Sequence, residues 1–314
     1  MQRIGWEYEA LFDVEQMTEL EQQLWQANPC GIRTGQMGYR TKTTRAGKRL
    51  EVDVYPVFGY QDRMRARAAK QQVTPETMRR VNLANAKRRI IQLADANFTE
   101  EDIHLTLTYE NPPIYSRCQR DVCNFLAAVK RRRAKRGLPE LKYIYVIEDD
   151  EDGVKKRIHT HILMSGGMSR EELEALWAKG YANADRLQPD ERGLEAVARY
   201  LVKSQRNRRK WCSSKNLKKP DVRVSDCKLS NAKVRRIARN LPNEARDIMR
   251  KAYPGYEFVE CRVKFSDLID GCYIRALMRR IDKGGTERAR KNKGRLADIH
   301  AAPETQSRQP YADA

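Results

Sequence analysis

Two short stretches decide the fold: LKYIYVIE at residues 141–148 and RIHTHILM at residues 157–164. Both are rich in aromatic and β-branched residues, and the acidic segment between them contains a glycine. This pattern predicts two antiparallel strands joined by a turn. His159 and His161 are two residues apart in the second strand, so their imidazoles should point to the same face of the sheet. Paired imidazoles at this separation can hold one metal ion.

A third metal ligand is available at the end of the first strand. The predicted hairpin brings the carboxylate of Glu148 close to the two imidazoles of the next strand. His104 is an alternative third ligand, or a polar residue that alternates with Ile103 and Leu105 on a half-buried strand. The sequence therefore predicts a metal site of His159, His161 and Glu148.

A tyrosine and a lysine share a helix downstream of the histidines. Residues 191–205 have apolar side chains at positions 194, 197, 198 and 201, which is the spacing of an amphipathic helix. Tyr200 and Lys203 are three residues apart, so they lie on adjoining positions of one helical surface.

The order of predicted elements defines the fold class. In chain order they are strand 103–109, helix 116–136, strand 141–148, strand 157–165, helix 169–179, strand 182–187 and helix 191–205. This order contains the split βαβ arrangement, so we expect an α+β fold. It is an antiparallel sheet with a ferredoxin- or RRM-like core, helices on one face and helical additions at both ends. Strands 103–109 and 157–165 should be central, with the helix of Tyr200 crossing the open face.

Three segments together resemble the HUH endonucleases, and in particular the rolling-circle replication initiators related to the gene II protein of filamentous phages. They are the strand motif LTLTY at residues 105–109, the metal motif HTH at residues 159–161 and the tyrosine motif YLVK at residues 200–203. The resemblance covers about half of the chain. The family usually has a bulky hydrophobic residue between the two histidines, whereas this chain has Thr160.

The resemblance implies a chemistry for these residues. Enzymes of this family use a divalent cation, here Mg²⁺ or Mn²⁺ on His159, His161 and Glu148, to polarise a phosphodiester of single-stranded DNA. A tyrosine, here Tyr200, then attacks and leaves a 5′-phosphotyrosine and a free 3′-OH. A phenol with a pKa near 10 is a poor nucleophile at neutral pH, so a nearby positive charge is needed, and Lys203 can supply it.

The resemblance also divides the chain. Residues 1–73 form an N-terminal extension of unknown role, and residues 74–225 form the predicted HUH endonuclease domain. Residues 226–282 form a small basic C-terminal region with a strand-like segment at 256–265 and a predicted helix at 266–281. Residues 283–314 are charged and contain Gly and Pro, so we expect a disordered tail.

The charge predicts a polyanionic partner. The formal net charge is +20, and residues 199–239 contain 15 lysines and arginines against two aspartates. Such a run beside the site can follow the phosphates of single-stranded or origin DNA. The predicted DNA-binding residues are Arg199, Arg206, Arg208, Arg209, Lys210, Trp211, Lys215, Lys218 and Lys219. Tyr143 and Tyr145 could stack on unpaired bases or belong to the core.

Several alternatives remain open at this point. A mobilisation relaxase or a single-tyrosine transposase would use the same chemistry, and a non-catalytic single-strand binder would use the same charge. A two-histidine phosphoesterase needs a second His-x-Thr/Ser motif, which is missing. No nucleotide-binding helicase motif is present, so an initiator from a phage or plasmid would borrow a host helicase. Without a signal peptide, long apolar span or disulfide-like cysteine spacing, we expect a cytoplasmic protein with no membrane partner.

Overall fold

The computed structural model describes residues 38–57, 75–148, 158–201, 211–239, 242–266 and 269–281. The strands are β1 (Gly38–Ala46), β2 (Arg49–Val57), β3 (Ile103–Thr108), β4 (Tyr143–Glu148), β5 (His159–Met164), β6 (Ala182–Arg186), β7 (Cys212–Ser213), β8 (Asp221–Ser225), β9 (Tyr256–Ser266) and β10 (Ile269–Arg280). The helices are α1 (Pro75–Asn97), α2 (Tyr115–Lys135), α3 (Arg170–Trp177), α4 (Glu195–Leu201), α5 (Asn231–Ala238) and α6 (Pro242–Ala252).

The predicted α+β core is confirmed. One antiparallel sheet has the strand order β6-β3-β5-β4-β7. Its first four strands, with α2 and α3 as the connecting helices, have the arrangement of a ferredoxin-like split βαβ fold. β3 and β5 are neighbours inside this sheet, as expected. The predicted capping box at the start of α3 is also present, because Ser169 accepts from the Glu172 backbone and the Glu172 side chain accepts from the Ser169 backbone.

Helices cover both faces of this sheet. α2 and α3 pack on one face, where Phe125 and Trp177 join Leu105 and Ile162 in a buried cluster. α1 and α4 pack on part of the other face, where their apolar side chains join Ile144, Val146 and Leu163. The histidines belong to this second face, so α4 does cross the face that the sequence analysis left open, and α1 shares it.

Tyr143 and Tyr145 belong to the core and do not form a base-stacking surface. Both lie on the face of β4 that packs under α2 and α3, opposite the histidines. Tyr145 is buried, and Tyr143 packs at the edge of the same cluster with Lys130 over its ring. Of the two interpretations that the sequence allowed, the structure supports the core.

A second five-stranded antiparallel sheet has the order β8-β1-β2-β10-β9, and the apolar sides of α5 and α6 pack on it. Its strands come from three of the regions that the sequence predicts: β1 and β2 from the extension, β8 from the core domain, and β9 and β10 from the C-terminal region. The region boundaries themselves stay predictions. The predicted tail lies outside the described residues.

The helix predicted at residues 266–281 is wrong. This segment forms β10, which pairs with β2 on one side and β9 on the other. Alternate residues Cys272, Ile274, Ala276 and Met278 are buried against α5 and α6. The segment contains good helix formers such as Ala, Leu, Met and Arg, but burial between two strands outweighs this intrinsic preference.

Candidate active site

The hairpin of β4 and β5 brings the predicted metal ligands together. Glu148 is directly opposite His159 in the strand register, and Val146 is opposite His161. Both histidines therefore lie on one face of β5. Thr160, between them, points to the other face, where it is buried and its Oγ1 lies 3.6 Å from Cys118 Sγ. A β-branched hydroxyl residue thus fits the position where the family usually has a larger apolar one.

Glu148, His159 and His161 form a compact group of possible metal ligands. One ligand atom from each residue can be chosen so that all three lie within 4.8 Å of one another. The His159 Nε2 atom is 3.3 Å from Glu148 Oε2. Two imidazoles and one carboxylate are a donor set that suits Mn²⁺ and related divalent ions.

His161 fits the role of a metal ligand on its own evidence. Its side chain is 4% exposed, and Nδ1 lies 3.1 Å from Thr106 Oγ1 on the neighbouring strand. Its Nε2 is buried with no hydrogen-bond partner in the described part of the chain. When Nδ1 carries the proton and donates to Thr106, Nε2 presents a free lone pair.

Burial keeps the His161 ring neutral. It lowers the pKa of His161 to about 4, and the nearby carboxylate of Glu148 offsets this only in part. A metal-binding imidazole must be neutral at the nitrogen that binds, so this environment favours coordination over protonation.

His104 lies beside the group and is not part of it. Its ring stacks on His161 with 5.4 Å between ring centroids, and burial lowers its pKa. Its Nε2 is also buried without a hydrogen-bond partner among the described residues. The three-residue group found in the described ranges contains Glu148 as the carboxylate, with His104 outside it.

Tyr200 approaches the metal group from α4. Its ring is edge-on to His161, with 5.1 Å between ring centroids, and its side chain is 48% exposed. The opposite side of α4 is anchored by Ala198 and Leu201 in the apolar cluster with α1. Tyr200 is therefore held beside the histidines and remains accessible to a substrate. Lys203 lies outside the described residues.

The predicted DNA-binding residues have different surroundings. Arg199 is half-buried and its guanidinium lies 2.8 Å from Glu195 Oε1. Trp211 is half-buried against the apolar cluster of α1 and α4. Lys215, Lys218 and Lys219 are exposed, and Asn97 holds the backbone of Lys218 with hydrogen bonds of 2.7 and 2.9 Å. Arg206, Arg208, Arg209 and Lys210 lie outside the described residues.

The sequence analysis missed the residue that orients His161. Thr106 is opposite His161 in the register of β3 and β5, and its hydroxyl meets Nδ1. The signal was available, because Thr106 lies in the quoted strand motif and alternates with buried Leu105 and Leu107. The polar positions of a strand next to a metal-binding strand are the places to look for such partners.

Comparison with known proteins supports the resemblance. Residues 102–205 match the model of the family described as replication-associated protein, ORF2 and phage gene II protein type. The matched range contains β3, the β4–β5 hairpin and α4 with Tyr200. The match supports a rolling-circle replication initiator and a DNA-binding role in replication. No curated protein and no solved structure matches the chain. Within the described ranges, none of the helices is both apolar and long enough to cross a bilayer.

Proposed function

We propose that this protein is an HUH endonuclease that starts rolling-circle replication by nicking one strand of origin DNA. The observation that carries the proposal is the position of Tyr200, whose ring lies 5.1 Å from the ring of His161 in the candidate metal group. A nucleophile beside a Lewis-acid site is the arrangement that phosphoryl transfer to a side chain requires. The family match supports the replication role.

The metal would be held by Glu148, His159 and His161. When bound, a divalent cation supplies Lewis acidity at a phosphoryl oxygen. Thr106 keeps the His161 ring in the orientation that leaves Nε2 available. The shielding of His161 from water keeps this ring neutral.

Tyr200 would act as the nucleophile. Its Oη forms the new bond to phosphorus, and the bond from phosphorus to the 3′ oxygen of the neighbouring nucleotide breaks. The phenol loses its proton and the leaving 3′ oxygen gains one, so a 5′-phosphotyrosine and a free 3′-OH result. The tyrosine ester keeps the energy of the broken phosphodiester, so attack by a 3′-OH can rejoin the strand without ATP. Lys203 would stabilise the developing negative charge.

The substrate would be single-stranded DNA, and a host helicase would open the duplex. Exposed Lys215, Lys218 and Lys219 provide phosphate contacts close in sequence to α4. The burial of Tyr145 under α2 argues against the alternative of a non-catalytic RRM-like binder, because such a sheet needs exposed aromatic residues. The protein would act in the cytoplasm on phage or plasmid DNA.

The test is a nicking assay on a single-stranded oligonucleotide from the intergenic region of the protein's own replicon. A 3′-labelled strand should become a protein adduct that resists denaturing electrophoresis, while a 5′-labelled strand should become a shorter free fragment. EDTA should abolish both products, and Mn²⁺ should restore them at a lower concentration than Mg²⁺ because imidazoles bind Mn²⁺ better. An oligonucleotide of scrambled sequence is the control. A cut without an adduct would contradict the tyrosine mechanism, and full activity in EDTA would contradict the metal.

A further inference from the structure

A buried ionic cluster connects the second sheet to the helix of Tyr200. Its centre is Arg49, the first residue of β2, whose side chain is 9% exposed. Arg49 Nε donates to Glu51 Oε1 at 2.7 Å, and Nη1 donates to the Arg192 carbonyl oxygen at 2.9 Å. Nη2 donates to Glu195 Oε2 at 2.8 Å. One guanidinium thus joins its own strand, the loop before α4 and the first residue of α4.

The start of α4 has a second anchor on α1. Asp95 Oδ1 accepts a hydrogen bond of 2.9 Å from the backbone N–H of Leu194, directly before the helix. Asp95 Oδ2 lies 3.5 Å from Arg49 Nη1, so the two anchors are also connected to each other. The N–H groups at a helix start have no partner inside the helix, and this aspartate supplies one from another element.

Gly193 shows how closely the loop is pressed against these groups. Its φ of +78° lies in the region that favours glycine, and a Cβ at this position would be 2.3 Å from Asp95 Oδ1 and 2.9 Å from Arg279 Nη1. A larger residue would push the loop away from α1 and β10. The path of the chain into α4 is therefore fixed on both sides.

The Arg49–Glu195 pair remains ionised in its buried position. Burial by itself would raise the pKa of Glu195, but the charge of Arg49 outweighs burial and holds that pKa below its usual range. Arg199, one turn further along α4, also binds Glu195 at 2.8 Å. Glu195 therefore connects the second sheet to the turn of α4 that precedes Tyr200.

α4 needs such external anchors because it has only seven residues. A helix of this length is not stable in water by its own hydrogen bonds. Its apolar contacts with α1 come from Leu194, Ala198 and Leu201, while Tyr200 lies on the exposed side. These apolar contacts can slide or rotate by a fraction of a turn, whereas the bonds from Arg49 and Asp95 fix the start of the helix in both respects.

We propose that Arg49 is a positioning residue for Tyr200, through which the second sheet sets where the nucleophile stands relative to the metal group. The inference rests on the proposed function of Tyr200. It gives the second sheet a role in the rate of the cleavage step, because a nucleophile displaced by about 1 Å can lose about 100-fold in rate. Arg49 itself need not touch the DNA.

The test compares Arg49→Gln and Glu195→Gln with the control Arg40→Gln. Arg40 belongs to the same sheet and forms an ion pair of 2.6 Å with Asp226, but this pair does not involve α4. Single-turnover cleavage should be about 10- to 100-fold slower in the two test variants and unchanged in the control. The Kd for single-stranded DNA should stay within about twofold of wild type in all three, as expected for a loss of positioning without loss of binding.

The double variant Arg49→Gln/Glu195→Gln should cleave about as slowly as the slower single variant, because both changes break the same connection. Multiplying effects, or test variants that cleave as fast as Arg40→Gln, would overturn the proposal. If Arg49→Gln does not fold, Glu195→Gln decides, because it keeps a hydrogen-bonding side chain and removes only the charge.

Hydrogen exchange separates this inference from the proposed function. Amides of α4 should exchange faster in both test variants than in Arg40→Gln, whether or not the wild type cleaves DNA. A wild type that does not cleave would contradict the proposed function, and the exchange result would still decide whether Arg49 anchors α4. Equal exchange of α4 in all three variants would overturn the anchoring itself.

Discussion

His161 combines burial, a fixed ring and a free nitrogen lone pair, and each of these follows from its position in the sheet. β3 supplies Thr106 for Nδ1, and β4 supplies Glu148 on the other side of the strand. Tyr200 approaches the same ring from α4. At the residue scale, the site is therefore a property of three adjacent strands and one helix.

The role of Glu148 gives a prediction about metal affinity. Glu148→Gln removes the charge and one strong oxygen ligand, so the Kd for Mn²⁺ measured by calorimetry should rise by at least about tenfold. Glu171→Gln, which changes an exposed carboxylate on α3, is the matched control and should leave the Kd unchanged. An unchanged Kd in Glu148→Gln would exclude Glu148 as a ligand and would make His104 the next candidate.

At the element scale, the local patterns predicted the core well. The alternation in β3, β4 and β5 and the apolar spacing in α2 and α4 are set by neighbours in sequence, so they are readable from the chain. The three proposed metal ligands come together because a hairpin brings residues 148 and 159 opposite each other. A hairpin is a local structure, which is why the metal group could be predicted.

The second sheet could not be predicted in the same way. β2 pairs with β10, so Asp53 lies opposite Arg275 although 222 residues separate them in the chain. Nothing in the local pattern of either strand names its partner. The same reason explains why Arg49 was missed, since its importance comes from Glu195 on a distant helix. Contacts of this kind depend on the whole fold.

Asp95 gives a prediction about stability and pH. Burial raises its pKa to about 6, although Arg49, Arg279 and the Leu194 N–H act to lower it, while Glu51 adds to the rise. Between about pH 4 and pH 6 the folded protein holds a proton that the unfolded chain has lost, so the free energy of unfolding falls as pH rises through this window.

Asp95→Asn removes this titration and keeps an oxygen acceptor for Leu194. Relative to the variant, the wild type should lose up to about 3 kcal/mol of unfolding free energy between pH 4 and pH 7, since one unit of pKa corresponds to about 1.4 kcal/mol. Urea unfolding of both proteins across this range measures the difference. A difference that does not vary with pH would show that Asp95 ionises normally in the folded protein.

At the scale of the whole molecule, the positive charge is an asset for binding DNA. The net charge of +20 includes exposed lysines after α4 and exposed basic residues on α6. Only the first group belongs to the predicted DNA path. The dependence of binding on salt can separate them, because each neutralised phosphate of a single strand contributes about −0.7 to the slope of log K against log salt.

Replacing Lys215, Lys218 and Lys219 together by Ala should therefore reduce this slope by about 2, measured by fluorescence anisotropy on a labelled single strand. The control replaces Arg246, Arg250 and Lys251 of α6 by Ala, which removes the same charge from the second sheet's side and should leave the slope nearly unchanged. Equal effects of the two triple variants would mean that general charge, and not a DNA path along residues 215–219, determines binding.

The most direct test of the central claim is the identity of the residue that is joined to DNA. After cleavage of the origin strand, protease digestion and mass spectrometry should find the 5′-phosphoryl nucleotide on the peptide that contains Tyr200. Tyr200→Phe should still bind the strand and form no adduct, while Tyr181→Phe, a change at another exposed tyrosine, should form it normally. A normal yield of adduct in Tyr200→Phe, or a nucleotide found on a different residue, would contradict the account.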